Sequence, residues 1–189
     1  MQASTSMKFR RRRQGLTDYR KRLELVKSGL QRVVVRRSNK RILGQVVAYE
    51  ERGDRIVASV DSRELEKLGW PSRNNRPTAY LSGLLLAKKA SPKAEGELVL
   101  DIGIAAPVRG SVPFVFAKGC IDGGMKLKGT LEIKEEQYNG TLIAKYAAQL
   151  GNGSEALKRQ FGAYMAKGNE PGSLPALFGQ VREKILKGS

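Results

Sequence analysis

The residues of this 189-residue chain that could do chemistry fall into a dense set of cations and a thin scatter of nucleophiles and acids. The cations begin with Lys8-Phe9-Arg10-Arg11-Arg12-Arg13, continue through Tyr19-Arg20-Lys21-Arg22, and return as Arg36-Arg37-Ser38-Asn39-Lys40-Arg41. Guanidinium groups at that density suit one partner above others: their forked donors grip phosphate oxygens, their planes stack on bases, and each phosphate neutralised releases a counterion. The remaining chemistry is sparse. Histidine is absent, which removes Ser-His and Cys-His pairs, imidazole metal ligands and the usual general base near neutrality. The single cysteine, Cys120, allows neither an internal disulfide nor a Cys-cluster zinc site, and reads as packing. Asp61 and Asp101 are the acids that could be suspected of holding magnesium for RNA hydrolysis. No acidic motif flanks either one, so both read as turn or capping groups. The stretch Asp101-Ile102-Gly103-Ile104-Ala105-Ala106 is not a glycine-rich phosphate loop.

The formal charge is +17, and its distribution is uneven. Residues 1–41 hold 14 Lys/Arg against Asp18 and Glu24, which is +12; the remainder holds 21 basic and 16 acidic residues, which is +5. The basic character is therefore an arm on an ordinary body. Like charges that crowded repel one another in water, so the arm is expected to be disordered when free and to fold on an anionic partner. A membrane surface is the weaker candidate. The densest apolar cluster, residues 84–87, is far too short to span a bilayer, and residues 1–7 are small and polar, unlike a secretory signal. With 40% apolar residues the body can bury a core.

Something must position these cations. Residues 17–28 read as a helix, capped by Thr17, favoured at its start by Asp18 and stopped at Gly29, with Tyr19, Leu23 and Val26 on one face. Residues 31–36, 42–49 and 56–60 alternate as strands of an antiparallel meander, whose first turn, 36–41, is basic and exposed. Ser62 can cap a short helix to Leu68, ended by Gly69. Residues 70–77 form a connector carrying Arg73, Asn74 and Arg76, in which Trp70 could stack on an exposed base but is expected to fold back onto the core. A strongly apolar helix spans 78–90, a loop 91–96, a central strand 97–104 and a helix 113–121. The signal weakens through Lys134, and helices follow at 139–150, 154–167 and 173–187. The last two carry packing stripes: Leu157, Phe161, Tyr164 and Met165, then Leu177, Val181 and Ile185. The chain divides into a basic arm (1–16), an α/β domain (17–150) whose helices cover a mixed sheet, and a helical C-terminal extension (151–189).

These segments resemble a known family. Arg10-Arg11-Arg12-Arg13-Gln14-Gly15-Leu16-Thr17-Asp18-Tyr19-Arg20-Lys21-Arg22-Leu23 is followed by Val34-Val35-Arg36-Arg37-Ser38-Asn39, Ser62-Arg63-Glu64-Leu65 and Gly69-Trp70. Thr78-Ala79-Tyr80-Leu81-Ser82-Gly83-Leu84-Leu85, Asp101-Ile102-Gly103, Arg109-Gly110-Ser111 and Ile143-Ala144-Lys145-Tyr146-Ala147 complete the series. In this order, over roughly residues 8–148, they are similar to the archaeal form of the large-subunit ribosomal protein family L-eighteen, whose eukaryotic counterpart is L-five. The resemblance implies a three-layer α/β fold of ribonuclease-H type, a place in the central protuberance of the cytoplasmic large subunit, and contacts with 5S rRNA, 23S rRNA and neighbouring ribosomal proteins. It implies no catalysis, no small-molecule substrate, no membrane and no cofactor beyond magnesium or monovalent ions bridging to RNA. The expected RNA contacts are then Lys8, Phe9, Arg10 to Arg13, Tyr19, Arg20, Arg22, Arg36 to Arg41, Arg73, Asn74, Arg76 and Arg109. Two other readings compete: a metal-dependent nuclease on the same fold, and a free RNA chaperone with a similar arm. The second shares the arm but gives no reason for the later motifs.

Overall fold

The three alternating segments after the arm form antiparallel strands β1 (Gln31–Arg37), β2 (Ile42–Ala48) and β3 (Arg55–Asp61), each bound within one residue of expectation. The computed structural model describes residues 7–91, 94, 96–129, 131–151 and 154–188. The polar start at residues 1–6, and Pro92, Lys93 and Glu95 of the 91–96 loop, lie outside the described residues. Strand β4 (Glu97–Asp101) runs parallel to β1, and the two-residue β5 (Lys126–Leu127) runs parallel to β4. The order is β3-β2-β1-β4-β5, so β1 is the middle strand, not the 97–104 segment. That strand also stops early. Gly103 turns the chain away at φ +64°, and its N–H returns to the Asp101 carboxylate at 2.8 Å.

The two-residue period of β1 sorts its side chains: Val33 and Val35 face one way, Arg32, Val34 and Arg36 the other. The Val33 face is covered by helices α3 (Arg76–Ala90) and α4 (Val112–Asp122), the preceding helices being α1 (Arg10–Arg13) and α2 (Tyr19–Lys27). Helix α3 is buried on nearly every side, because the sheet, α4 and a later helix surround it, which explains why its sequence shows no polar face. Helices α3 and α4 touch backbone to backbone. A β-carbon on Gly83 would lie 2.0 Å from the Phe116 carbonyl oxygen, and one on Gly119 would lie 2.1 Å from that of Tyr80. Only glycine permits that approach. Cys120 is fully buried on α4. The opposite face of the sheet carries α2, completing a three-layer α/β fold with unequal covers, since α2 buries no residue of its own.

Several local expectations are corrected. Asp18, not Thr17, caps α2: its carboxylate accepts from the Arg20 and Lys21 N–H groups, while Thr17 Oγ1 accepts from Arg11 Nε. Leu23 does not share the inner face of α2 and stands 53% exposed. The helix Ser62–Leu68 is a 3₁₀ helix capped by Asp61 in a reciprocal box with Glu64; Ser62 Oγ instead accepts from the Ile42 N–H. Helix α3 starts at Arg76 because Asn75 caps it, so the connector ends two residues early. Trp70 is 1% exposed and donates its indole N–H to Thr78 Oγ1 at 2.9 Å, the expected core role.

The C-terminal helices are α5 (Thr141–Leu150), α6 (Glu155–Met165) and α7 (Leu174–Lys187). Leu157, Phe161 and Tyr164 are buried as expected, whereas Met165 turns outward. Val181 and Ile185 are buried, joined by Leu174 and Phe178. The Phe178 ring lies 6.2 Å from Trp70, edge-on, and 5.5 Å from Tyr80. The last helix thus shares its core with the sheet domain.

Candidate nucleic-acid interface

The arm carries a local fold of its own. Arg10–Arg13 form one helical turn, arginine being a good helix former, and the chain reverses after it at Gly15 with φ +64°. Two contacts hold the turn against α2: the Phe9 ring lies 5.3 Å from Tyr19, and Arg11 Nε donates to Thr17 Oγ1 at 2.8 Å. All four guanidinium groups remain exposed, and among the described residues no carboxylate pairs with them or with Lys8. Phe9 is 71% exposed, so one face of its ring is open.

Arg22 and Arg36 are placed differently, inside a relay of charges on the α2 side of the sheet. Arg22 pairs with Asp54 at 2.9 Å, and Asp54 pairs with the buried Arg32 at 2.7 Å. Arg32 reaches Asp101 at 3.6 Å, which in turn pairs with Arg36 at 3.0 Å. Arg36 also donates to the carbonyls of Val35 and Asp101. Three arginines and two aspartates therefore join α2, the turn before β3, β1 and β4. Arg32 is 1% exposed, and the Asp54 carboxylate 2.7 Å from its guanidinium is its nearest charge partner. Burial alone would raise the Asp54 carboxyl; Arg32 and Arg22 override it and hold the group below its ordinary value.

The hairpin turn divides its residues between scaffold and surface. Ser38 closes it, the Ser38 N–H bonding to the Arg41 carbonyl at 2.8 Å and its hydroxyl accepting from the Arg41 N–H. Arg41 pairs with Asp61 at 3.2 Å, leaving Arg37, Asn39 and Lys40 exposed at the tip. On the connector Arg73 is drawn inward: it donates to the Ala163 carbonyl at 3.1 Å and lies over the Tyr164 ring at 6.0 Å. Asn74 is half-buried, and Arg76 is exposed at the start of α3. Arg20 is exposed beside Glu24 at 3.7 Å. Arg109 is exposed in the loop that leads into α4, near Phe114 and Ile133.

The expected contacts thus fall into separate places. Arg11, Tyr19, Arg22 and Arg36 line one groove; Asn39, Arg73 and Asn74 line a second hollow; Arg109 borders a third. Asp61 and Asp101, the suspected metal ligands, end different strands, β3 and β4, and each is paired with arginines; Asp61 is kept below its ordinary value by Arg63 and Arg41 against the opposing effect of burial. Among the described residues no three acids, cysteines or histidines converge. Sequence reasoning missed Arg32 and Asp54. The signal was present in the strand period: Arg32 alternates away from Val33 and Val35, and a cation on the α2 face of a middle strand needs an acid.

The family model described as "Ribosomal large subunit proteins 60S L5, and 50S L18" matches residues 4–98. A Methanococcus maripaludis protein named "Large ribosomal subunit protein uL18" is 41% identical over 189 residues, covering 98% of each chain. On that coverage the chain belongs to the family of large-subunit ribosomal proteins that comprises 60S L5 and 50S L18.

Proposed function

We propose that this large-subunit ribosomal protein binds 5S rRNA and helps attach it to 23S rRNA in the central protuberance, without catalysing a reaction. The observation that carries the reading is the exposed Lys8–Arg13 run, free of carboxylate partners among the described residues and joined to α2 rather than to a floppy tether. Such a run supplies sequence-independent phosphate affinity, while the rigid hairpin tip with Arg37, Asn39 and Lys40 supplies positioned contacts. Arg22, Arg36 and Arg73 serve the scaffold in this reading, and the exposed Arg20, Arg76 and Arg109 add cations at separate places on the surface. Magnesium or monovalent ions bridge phosphates in the complex; the chain itself needs no cofactor.

Gradient sedimentation tests this reading. Purified chain is mixed with 5S rRNA alone, then with 5S and 23S rRNA together. The chain should shift 5S rRNA by itself and raise the share of 5S rRNA travelling with 23S rRNA. A chain that binds a mixed-sequence RNA of equal length as tightly as 5S rRNA, or leaves 5S and 23S rRNA separate, overturns the proposal.

A further inference from the structure

A groove of about 710 Å³ runs between α2 and the end of β4, beside the arm. Its walls are apolar, formed by Leu16, Leu25 and Leu30 on one side and Val99, Ile102 and Pro107 on the other. Arg11, Lys21 and Lys128 stand along it, and among the described residues no carboxylate pairs with any of them. Of the acids that also line it, Asp18 accepts from the first N–H groups of α2 and Asp101 is held by Arg32 and Arg36, while Glu24 is exposed beside Arg20 at 3.7 Å. The result is an apolar slot with a cationic margin.

That combination matches a nucleotide, whose base has apolar faces and whose phosphates carry charge. The volume lies within the roughly 300–1,000 Å³ of small-ligand sites and is too small for a duplex, so only an unpaired nucleotide can enter. Continuity with the arm favours RNA over a protein segment, since Arg11 belongs both to the arm and to the groove. Resting on the 5S rRNA reading above, we propose that this groove seats an unpaired nucleotide of the bound RNA. Its base lies between the Leu25 and Val99 walls, and its phosphates meet Arg11, Lys21 and Lys128. The Arg22–Asp54–Arg32–Asp101–Arg36 relay fixes the spacing of the two walls, because α2 has no buried side chain of its own to do so.

The test uses full-length chain and unmodified 5S rRNA. After irradiation at short ultraviolet wavelength, digestion and mass spectrometry, nucleotide adducts should map to residues 16–30 and 99–107 as well as to the arm. Leu25→Trp, which fills the slot, should weaken 5S rRNA binding about tenfold, the order expected when one stacked base is lost. If a thermal melt shows that Leu25→Trp does not fold, the exposed double variant Lys21→Ala/Lys128→Ala decides, and it should lose both affinity and the groove adducts. Adducts confined to the arm and hairpin tip, or wild-type affinity in the deciding variant, overturn the groove. So does a variant that keeps 5S rRNA affinity but enters the subunit poorly, which would point to a protein segment instead. Failure of the unmodified chain to bind 5S rRNA would instead sink the parent reading.

Discussion

Asp54→Ala tests whether the charge relay holds the α2 side of the sheet. Removing Asp54 leaves the Arg32 guanidinium, 1% exposed, with Asp101 at 3.6 Å as its remaining partner. Breaking a buried pair by deleting one member costs about 3–5 kcal/mol, and the low end, about 3 kcal/mol, applies because Asp54 is 24% exposed and Asp101 remains. For a domain of this length each 1 kcal/mol moves the midpoint by about 2–4 °C, so the melt should fall by about 9 °C. The assay is thermal unfolding followed by circular dichroism, run also on Arg32→Met and on the double variant. Removing the buried cation removes the reason for the loss, so Arg32→Met/Asp54→Ala should be more stable than Asp54→Ala alone. Strict additivity, or an Asp54→Ala midpoint within 2 °C of wild type (roughly 0.5–1 kcal/mol), would refute the argument.

Other outcomes follow from the same contacts. Asp54, Asp61 and Glu64 all have carboxyls held below their ordinary values, burial being overridden by Arg32, Arg63 and Lys89 respectively, so their contribution is complete above the unfolded values near 3.8 and 4.5 and is lost as pH falls through the lower folded ones. Melts should therefore be flat from neutrality to about pH 5 and drop below about pH 4, and a pH-independent midpoint down to pH 3 would contradict this. Trp70→Ala should cost about 3–5 kcal/mol in a denaturant titration, and Trp70 emission should be that of a buried indole whether or not RNA is present. Gly103→Ala must adopt a left-handed conformation and place a β-carbon 3.0 Å from Arg36 Cζ, so it should lose about 1–2 kcal/mol from the backbone alone, read as a lowered midpoint.

The sequence was most legible where one physical rule acts alone. The β1–β2–β3 meander followed from two-residue alternation, the C-terminal helices from their apolar stripes, and the Trp70 core role from its large apolar area after a helix stop. Where two groups compete for one role, the reading slipped. Thr17 and Asp18 both can cap, and the carboxylate won because Thr17 was taken by Arg11; Ser62 lost to Asp61 because its hydroxyl serves Ile42. The site divides in the same way. Exposure of Lys8–Arg13 could be read from local charge density, whereas the scaffold roles of Arg22, Arg36 and Arg73 depend on partners 32, 65 and 90 residues away in the chain. Arginine content alone cannot say which guanidinium groups already have partners within the chain.

Ionic strength offers the most direct measurement of the central claim that the exposed arm supplies the charge-dependent part of 5S rRNA binding. The affinity of the full chain is measured across a salt series beside a variant with Arg10, Arg11, Arg12 and Arg13 all changed to Gln, with Arg73→Ala as the scaffold control. Each phosphate contact is worth roughly 0.7–0.9 in the slope of log affinity against log salt, so the quadruple variant should lose about 3 from that slope. Arg73→Ala should keep the wild-type slope, since its guanidinium is bound to the Ala163 carbonyl. A quadruple variant with an unchanged slope, or a larger loss in Arg73→Ala than in the arm variant, would contradict the account.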